Sequence, residues 1–227
     1  MSSLTIKNLN KIYNPGKNEV HAVKDFNLEI EDGEFVALLG PSGCGKTSTL
    51  RMIVGLESIT SGSILFDDVE INHLSPEQRN VAMAFESYAL YPNFTIFENL
   101  AFPLEVKKNS SSEISKKVGE IAEMLQITNI LELKPNQLSG GQQQRVSLGR
   151  ALIRDPAVFI LDEVMSHLDA HLKFQMLFEL KKIHQTLKKT MIYVTHDQME
   201  ALALSNRVAV MALSLIHISE PTRHRQI

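Results

Sequence analysis

Cysteine is nearly absent from this chain, with one thiol, Cys44, in 227 residues. A lone cysteine excludes an internal disulfide framework and fits a reducing cytoplasm. Any run of about 18 or more apolar residues is also missing, so no segment spans a membrane by itself. The opening residues, Met1-Ser2-Ser3-Leu4-Thr5, have neither the basic start nor the apolar stretch of a secretory signal. Basic charge is not in excess, because the formal net charge is −3. General nucleic-acid binding needs clustered Lys and Arg against the phosphate backbone and is not expected. No internal repeat is visible. The chain is 44% hydrophobic and 22% charged, the balance of a globular protein with a core of its own. Any membrane role is therefore expected to come through a partner protein.

The apolar residues fall into two periods. Leu4 to Leu9 and Phe26 to Ile30 alternate with polar residues as half-buried strands do. Asp32-Gly33 is a turn signal, after which Phe35 to Leu39 reads as a fully buried strand. Lys46 to Val54 reads as a helix ended by Gly55, and Ser110 to Gln126 as another. In the second, Ser110 and Glu113 form a capping box ahead of Ile114, Val118, Ile121, Ala122 and Leu125. Val158 to Leu161 and Met191 to Val194 are buried-strand runs. Between them Leu172, Met176, Leu180, Ile183 and Leu187 form one helical stripe, read as core rather than as a cofactor box. Strand, helix and strand alternating this way predict an α/β fold. Its sheet is mostly parallel, with ligands at the C-terminal ends of the strands.

Gly40-Pro41-Ser42-Gly43-Cys44-Gly45-Lys46-Thr47 fits G-x-x-x-x-G-K-[ST] without a mismatch, with a strand before it and a helix after it. The glycines let backbone N–H groups turn inward around phosphates, and the helix N-terminus adds its partial positive charge. Lys46 has the reach for β- and γ-phosphate oxygens, and the Thr47 hydroxyl is a magnesium ligand. Cys44 is read as a loop residue offering its N–H rather than as a nucleophile. Asp162 and Glu163 end the strand run that starts at Val158. There Asp162 is suited to hold Mg2+ and Glu163 to polarise an attacking water. His196 follows the strand at Met191 to Thr195, a position suited to the γ-phosphate region, although a structural role fits its spacing equally well.

Leu138-Ser139-Gly140-Gly141-Gln142-Gln143-Gln144-Arg145 resembles the LSGGQ signature of ABC ATPases. The order of phosphate loop, signature, Asp162-Glu163, Ser166-His167-Leu168-Asp169 and His196 is similar to that family throughout, over about residues 4 to 211. Glu86-Ser87-Tyr88-Ala89-Leu90-Tyr91-Pro92 and Thr195-His196-Asp197-Gln198-Met199-Glu200-Ala201 look like its carbohydrate-importer branch, with the maltose and glycerol-3-phosphate importer ATPases. The resemblance implies an ABC cassette over residues 1–211, with a mostly parallel RecA-like sheet. To this it adds an N-terminal antiparallel β subdomain and an inserted helical subdomain at about 88–152. It implies ATP contacts from Gly40 through Thr47 to Ser48, with Tyr13 stacked on adenine, although a lone Tyr is also an ordinary core or surface residue. Thr47, Glu86 and Asp162 become the Mg2+ ligands, and Glu163 and His196 the catalytic pair. Two ATPase subunits, alike or different, would close head to tail. Ser139, Gly140, Gly141 and Gln142 of one then face the ATP of the other, with Asp169 in the loop between them. Further implied partners are a transmembrane permease, which would dock near Glu86 to Phe94, and indirectly a solute-binding protein. The implied location is the cytoplasmic face of the membrane.

Three features depart from the family pattern. Glu86 stands where glutamine is usual; a carboxylate there adds negative charge beside the phosphates and accepts rather than donates hydrogen bonds. Val164-Met165 stands where proline and an apolar residue are common, and His167 where asparagine is common. These keep open a hydrolysis-weakened partner in a heteromeric pair; a soluble non-transport ABC ATPase would carry a coiled-coil insertion, tandem cassettes or basic surfaces, none of which appears. Finally, Leu213 to Arg223 resembles an in-frame translation of a sequencing-library adapter. Residues 212–227 are accordingly expected to be a non-native tail, and the last strands before it to lack neighbours.

Overall fold

A computed structural model describes residues 3–16, 18–85, 87–212 and 215–219. In chain order its strands are β1 (Leu4–Tyr13), β2 (Val20–Ile30), β3 (Phe35–Leu39), β4 (Ser61–Phe66), β5 (Val69–Glu70), β6 (Val81–Ala84), β7 (Val158–Asp162), β8 (Thr190–Thr195), β9 (Arg207–Ala212) and β10 (Leu215–Ser219). The helices are α1 (Lys46–Val54), α2 (Ile96–Val106), α3 (Ser111–Met124), α4 (Gly140–Leu152), α5 (Ala170–Leu187) and α6 (Gln198–Leu204). Two compact units result. One comprises Met1–Val81, Ala157–Glu163 and His184–Ile227, the other Ala82–Pro156 and Val164–Ile183.

The first unit holds an antiparallel sheet of order β2-β1-β4-β5 and a larger sheet in which β10, β9, β3, β8 and β7 follow one another. In the first sheet the expected alternation is present: Leu4, Ile6 and Leu9 on β1 and Phe26, Leu28 and Ile30 on β2 are buried. Both strands run longer than the alternation alone predicts. Register shifts interrupt their pairing between Ile6 and Leu9, where Asn8 takes φ +47, and between Leu9 and Lys11, where Asp25 on the partner strand takes φ +44. Such bulges break the period of two that marks a strand in sequence. In the second sheet β3 pairs in parallel with β8 and β9, and β8 with β7. Phe35–Leu38, Val158–Leu161 and Met191–Val194 are wholly buried, which is why they read as continuous apolar runs rather than alternating ones.

α1 begins and ends where glycine permits. Gly55 at its C-terminus takes φ +87 and donates its N–H to the Arg51 carbonyl. Arg79 completes that end, donating from Nη1 to the Met52 and Ile53 carbonyls at 2.7 and 3.0 Å. At the other edge β9 carries β10 antiparallel beside it. The expectation that the last strand would lack a neighbour is therefore corrected; residues 213, 214 and 220–227 of the expected tail lie outside the described residues.

The second unit is helical. Thr95 and Ser110 form capping boxes with Glu98 and Glu113. Ser110 is thus the cap of α3, not its first residue, and Ile114, Val118, Ala122 and Leu125 are buried as the spacing predicts. α4 packs closely on its neighbours at Gly149, where an added Cβ would lie 2.8 Å from a Leu100 methyl and 3.0 Å from a Leu125 methyl. The stripe on α5 is buried at Met176, Leu180 and Ile183. Buried Asn99 ties down the segment before α2, accepting from the Tyr91 N–H and donating to the Tyr91 and Thr95 carbonyls.

Candidate active site

Three loops leave the C-terminal ends of neighbouring parallel strands in the first unit. The phosphate loop follows β3, His196 follows β8, and Glu163 follows β7. Backbone bonds cross-link them: the Gly40 N–H donates to the Thr195 carbonyl at 3.4 Å, and the Glu163 N–H to the Val194 carbonyl at 3.0 Å. Parallel pairing therefore gathers residues about 30 to 155 positions apart in sequence onto one sheet edge.

In the loop, Gly43 and Gly45 take φ +82 and +101. An added Cβ at Gly45 would collide with the Ala22 carbonyl oxygen, so conformation and space both demand glycine there. Lys46 is 4% exposed. Its ammonium turns back on the loop and donates to the Gly40 and Pro41 carbonyls at 2.7 and 2.9 Å. Thr47 is exposed at the start of α1. Cys44 is buried beside the Lys46 ammonium, and its N–H donates to the Pro41 carbonyl at 3.4 Å rather than pointing into the loop's mouth.

Glu163 takes φ +48, a left-handed conformation that costs a non-glycine residue about 1–2 kcal/mol. The strain turns the chain sharply at the strand end and brings Glu163 Oε2 to 3.5 Å from His196 Nδ1. Sequence spacing gave no ground to pair these two; the structure does. Tyr13 is tied to the same region, because its hydroxyl bonds to the Glu57 carboxylate and lies 3.2 Å from Ser48 Oγ. Burial first, and then the bond to Glu57, push that hydroxyl above its ordinary pKa. Lys11 lies 4.9 Å from the Tyr13 ring centroid and donates to the Ser58 carbonyl at 2.6 Å. Glu57 and Lys11, which fix the ring, were not identifiable from sequence because neither belongs to a motif.

The donors present suit Mg2+ arriving with a nucleotide rather than a resident metal. Thr47 and Asp162 offer one hydroxyl and one carboxylate, and magnesium bound to nucleotide phosphates asks for little more from protein. No group of three or more His, Cys, Asp or Glu that could hold a metal occurs among the described residues. Glu86, expected as a third ligand, lies outside the described residues.

The second unit presents Ser139, Gly140, Gly141 and Gln142 together at the start of α4. The Ser139 hydroxyl accepts from the Gln142 N–H at 3.3 Å, and Gln142 Oε1 accepts from the Ser139 N–H at 2.9 Å. The Gln142 side chain is thereby committed to the cap, whereas the first-turn N–H groups of Gly140 and Gly141 have no intrahelical acceptor. Tyr88 closes over Gly140, its hydroxyl 3.3 Å from where a Cβ would sit. Beside them lies an open groove of about 540 Å³ lined by Tyr88, Pro92, Asn136, Gln143 and His167. Asp169 caps α5, its Oδ1 accepting from the Leu172 N–H at 2.9 Å. Val164 and Met165, the departure noted in sequence, are both buried, so the positions retain an apolar role without proline.

Residues 23–166 match the family model described as ABC transporter. The sn-glycerol-3-phosphate import ATP-binding protein UgpC of Bordetella avium is 47% identical over 211 residues, which are 93% of this chain and 58% of that protein. The maltose/maltodextrin import ATP-binding protein MalK of Photorhabdus laumondii is also 47% identical, over 93% of this chain and 56% of its own length. The chain thus spans a little over half the length of these relatives. Among solved structures, the dimeric post-hydrolysis state of the ATP-binding cassette MJ0796 bound to ADP and Pi superposes with a TM-score of 0.83 at 32% identity. It covers 96% of this chain and 98% of that one.

Proposed function

This chain belongs to the ABC transporter family, and from that premise we propose that it binds and hydrolyses MgATP between two copies of the fold to drive solute import through a partner permease. The observation that carries the reading is the gathering of the phosphate loop, Glu163 and His196 at adjacent strand ends, with Glu163 Oε2 3.5 Å from His196 Nδ1. Phosphate oxygens take the place of the Gly40 and Pro41 carbonyls as acceptors for Lys46, while loop N–H groups and the start of α1 supply further positive potential. Tyr13, already fixed by Glu57 and Ser48, offers its ring face to the base. Thr47 and Asp162 would hold the Mg2+ that accompanies the nucleotide, and that ion would supply neutralisation of charge on the phosphates. Glu163 takes the hydrogen bond of the attacking water and orients it, and His196 contacts the γ-phosphate from the β8 loop.

In this reading Ser139 and the Gly140 and Gly141 N–H groups of a second ATPase subunit complete the phosphate's surroundings. The names of the relatives, an sn-glycerol-3-phosphate importer subunit and a maltose/maltodextrin importer subunit, favour a carbohydrate, polyol or glycerol-phosphate as the solute. No helix among the described residues is long and apolar enough to cross a membrane, so transport requires transmembrane permease subunits, with the chain held peripherally at the cytoplasmic face. The test is phosphate release from MgATP by the purified chain. Release that disappears in Glu163→Gln while nucleotide binding persists supports the reading; equal release from both proteins overturns it.

A further inference from the structure

We infer that Glu200 is a positioning residue for the reaction proposed above, its buried carboxylate closing a hydrogen-bonded ring that fixes where His196 stands. The inference rests on that reading for its catalytic meaning, but the ring itself is a matter of geometry. Glu200 is 4% exposed, in α6, and the two β8 residues it meets, Tyr193 and Thr195, are themselves buried. Its Oε2 accepts from the Thr195 hydroxyl at 2.5 Å and from the Tyr193 hydroxyl at 2.5 Å. The Thr195 hydroxyl, committed as a donor to Glu200, accepts from the Asp197 N–H at 3.0 Å. Asp197 Oδ1 accepts in turn from the Glu200 N–H at 3.3 Å and from the Met199 N–H at 2.8 Å. Thr195, Asp197 and Glu200 therefore form a closed loop of bonds, and His196 is the residue it encloses. Both peptide neighbours of His196 are pinned, one of them also through the Gly40 N–H on the Thr195 carbonyl.

A buried carboxylate is retained only where hydrogen bonds satisfy it, because an unpaired charge out of water is strongly disfavoured. Packing alone explains neither this carboxylate nor its location, since an apolar residue in α6 would fill the space at lower cost. Burial and the neighbouring Glu200 charge push the Tyr193 hydroxyl far above its ordinary range, so it stays a donor at any working pH. His196 is half-exposed and 3.5 Å from Glu163. An imidazole so placed depends on its backbone for direction, and a shift of about 1 Å at a reacting centre costs on the order of a hundredfold in rate.

The experiment compares Glu200→Gln and Thr195→Val, which break the ring at different bonds, in the full chain and again with His196→Ala added. Each single variant is expected to lower kcat about tenfold to a hundredfold with ATP affinity held within about twofold. Neither should cause further loss once His196 is gone. Losses that add to that of His196→Ala, or that fall on affinity instead of kcat, overturn the inference. A second readout needs no turnover: the imidazole Hε1 resonance of His196, identified by its disappearance in His196→Ala, should shift in both ring variants of the nucleotide-free chain while other histidine resonances hold still. An unmoved resonance overturns the positioning role. A wild type that releases no phosphate while the resonance does shift counts against the ATPase reading and leaves the ring in place.

Discussion

Arg79 offers a quantitative test of how the first unit supports its phosphate loop. It is 5% exposed and spreads its donors over four carbonyls. Nε reaches Leu74 at 2.9 Å, Nη1 reaches Met52 and Ile53 at 2.7 and 3.0 Å, and Nη2 reaches Asn72 at 3.1 Å. Met52 and Ile53 lie in the last turn of α1, where a cation also complements the helix dipole. In Arg79→Ala the Ile53 carbonyl loses a charged donor, which costs about 1–3 kcal/mol for a buried acceptor. The Met52 carbonyl keeps the Gly55 N–H at 3.3 Å and loses about 1 kcal/mol. The Leu74 and Asn72 carbonyls are partly buried and recover water at small cost. Relief from burying a guanidinium, which already lowers the Arg79 pKa, acts in the opposite direction. The sum is a destabilisation of about 3 kcal/mol, or roughly 6–12 °C in Tm for a chain of this size. Arg79→Lys, with one compact ammonium for four acceptors, should lose about 2 kcal/mol. Urea unfolding with an unchanged m-value is the assay. A loss below about 1 kcal/mol in Arg79→Ala would show instead that water caps α1 as well as the guanidinium does.

The site supplies the other predictions. Lys46→Ala should weaken ATP binding about a hundredfold, the worth of roughly 3 kcal/mol of charge-assisted bonding, as read by nucleotide titration; affinity within about threefold of wild type contradicts the assignment. Ser139→Ala should cost α4 about 1 kcal/mol through its lost cap, measured by denaturation, and a neutral result would remove the capping role. His184, half-buried with its Nε2 2.9 Å from the Gly33 carbonyl, has its pKa lowered from 6.5, chiefly by burial. A histidine held neutral in the fold contributes stability in full above its unfolded pKa. That stability is lost as pH falls from about 6.5 toward the lowered folded value. Unfolding free energies measured across that window should decline with acidification, and less steeply in His184→Gln; equal slopes would refute it.

The residues whose chemistry depends on spacing along the chain were legible in sequence. The glycines of the phosphate loop, the Ser110–Glu113 box and the buried runs of β3, β7 and β8 each state a local requirement that the structure meets. Contacts made across the fold were not legible. Glu57 holds Tyr13 from 44 positions away, Arg79 caps a helix 26 positions earlier, and the Glu163–His196 approach depends on β7 and β8 being neighbours. The full lengths of β1 and β2 were hidden by bulges at Asn8 and Asp25, which interrupt the alternation on which a strand reading relies. Glu200 was visible as part of a motif, yet nothing in the motif says that its carboxylate is buried under two hydroxyls.

The measurement that bears most directly on ATP held between two copies of the fold is the mass of the Glu163→Gln chain in solution, by light scattering, with and without saturating MgATP. The monomer should become a dimer on adding MgATP, revert with ADP, and fail to dimerise when Ser139→Ala and Gly141→Ala are added. A chain that binds MgATP and remains monomeric at saturation would contradict it.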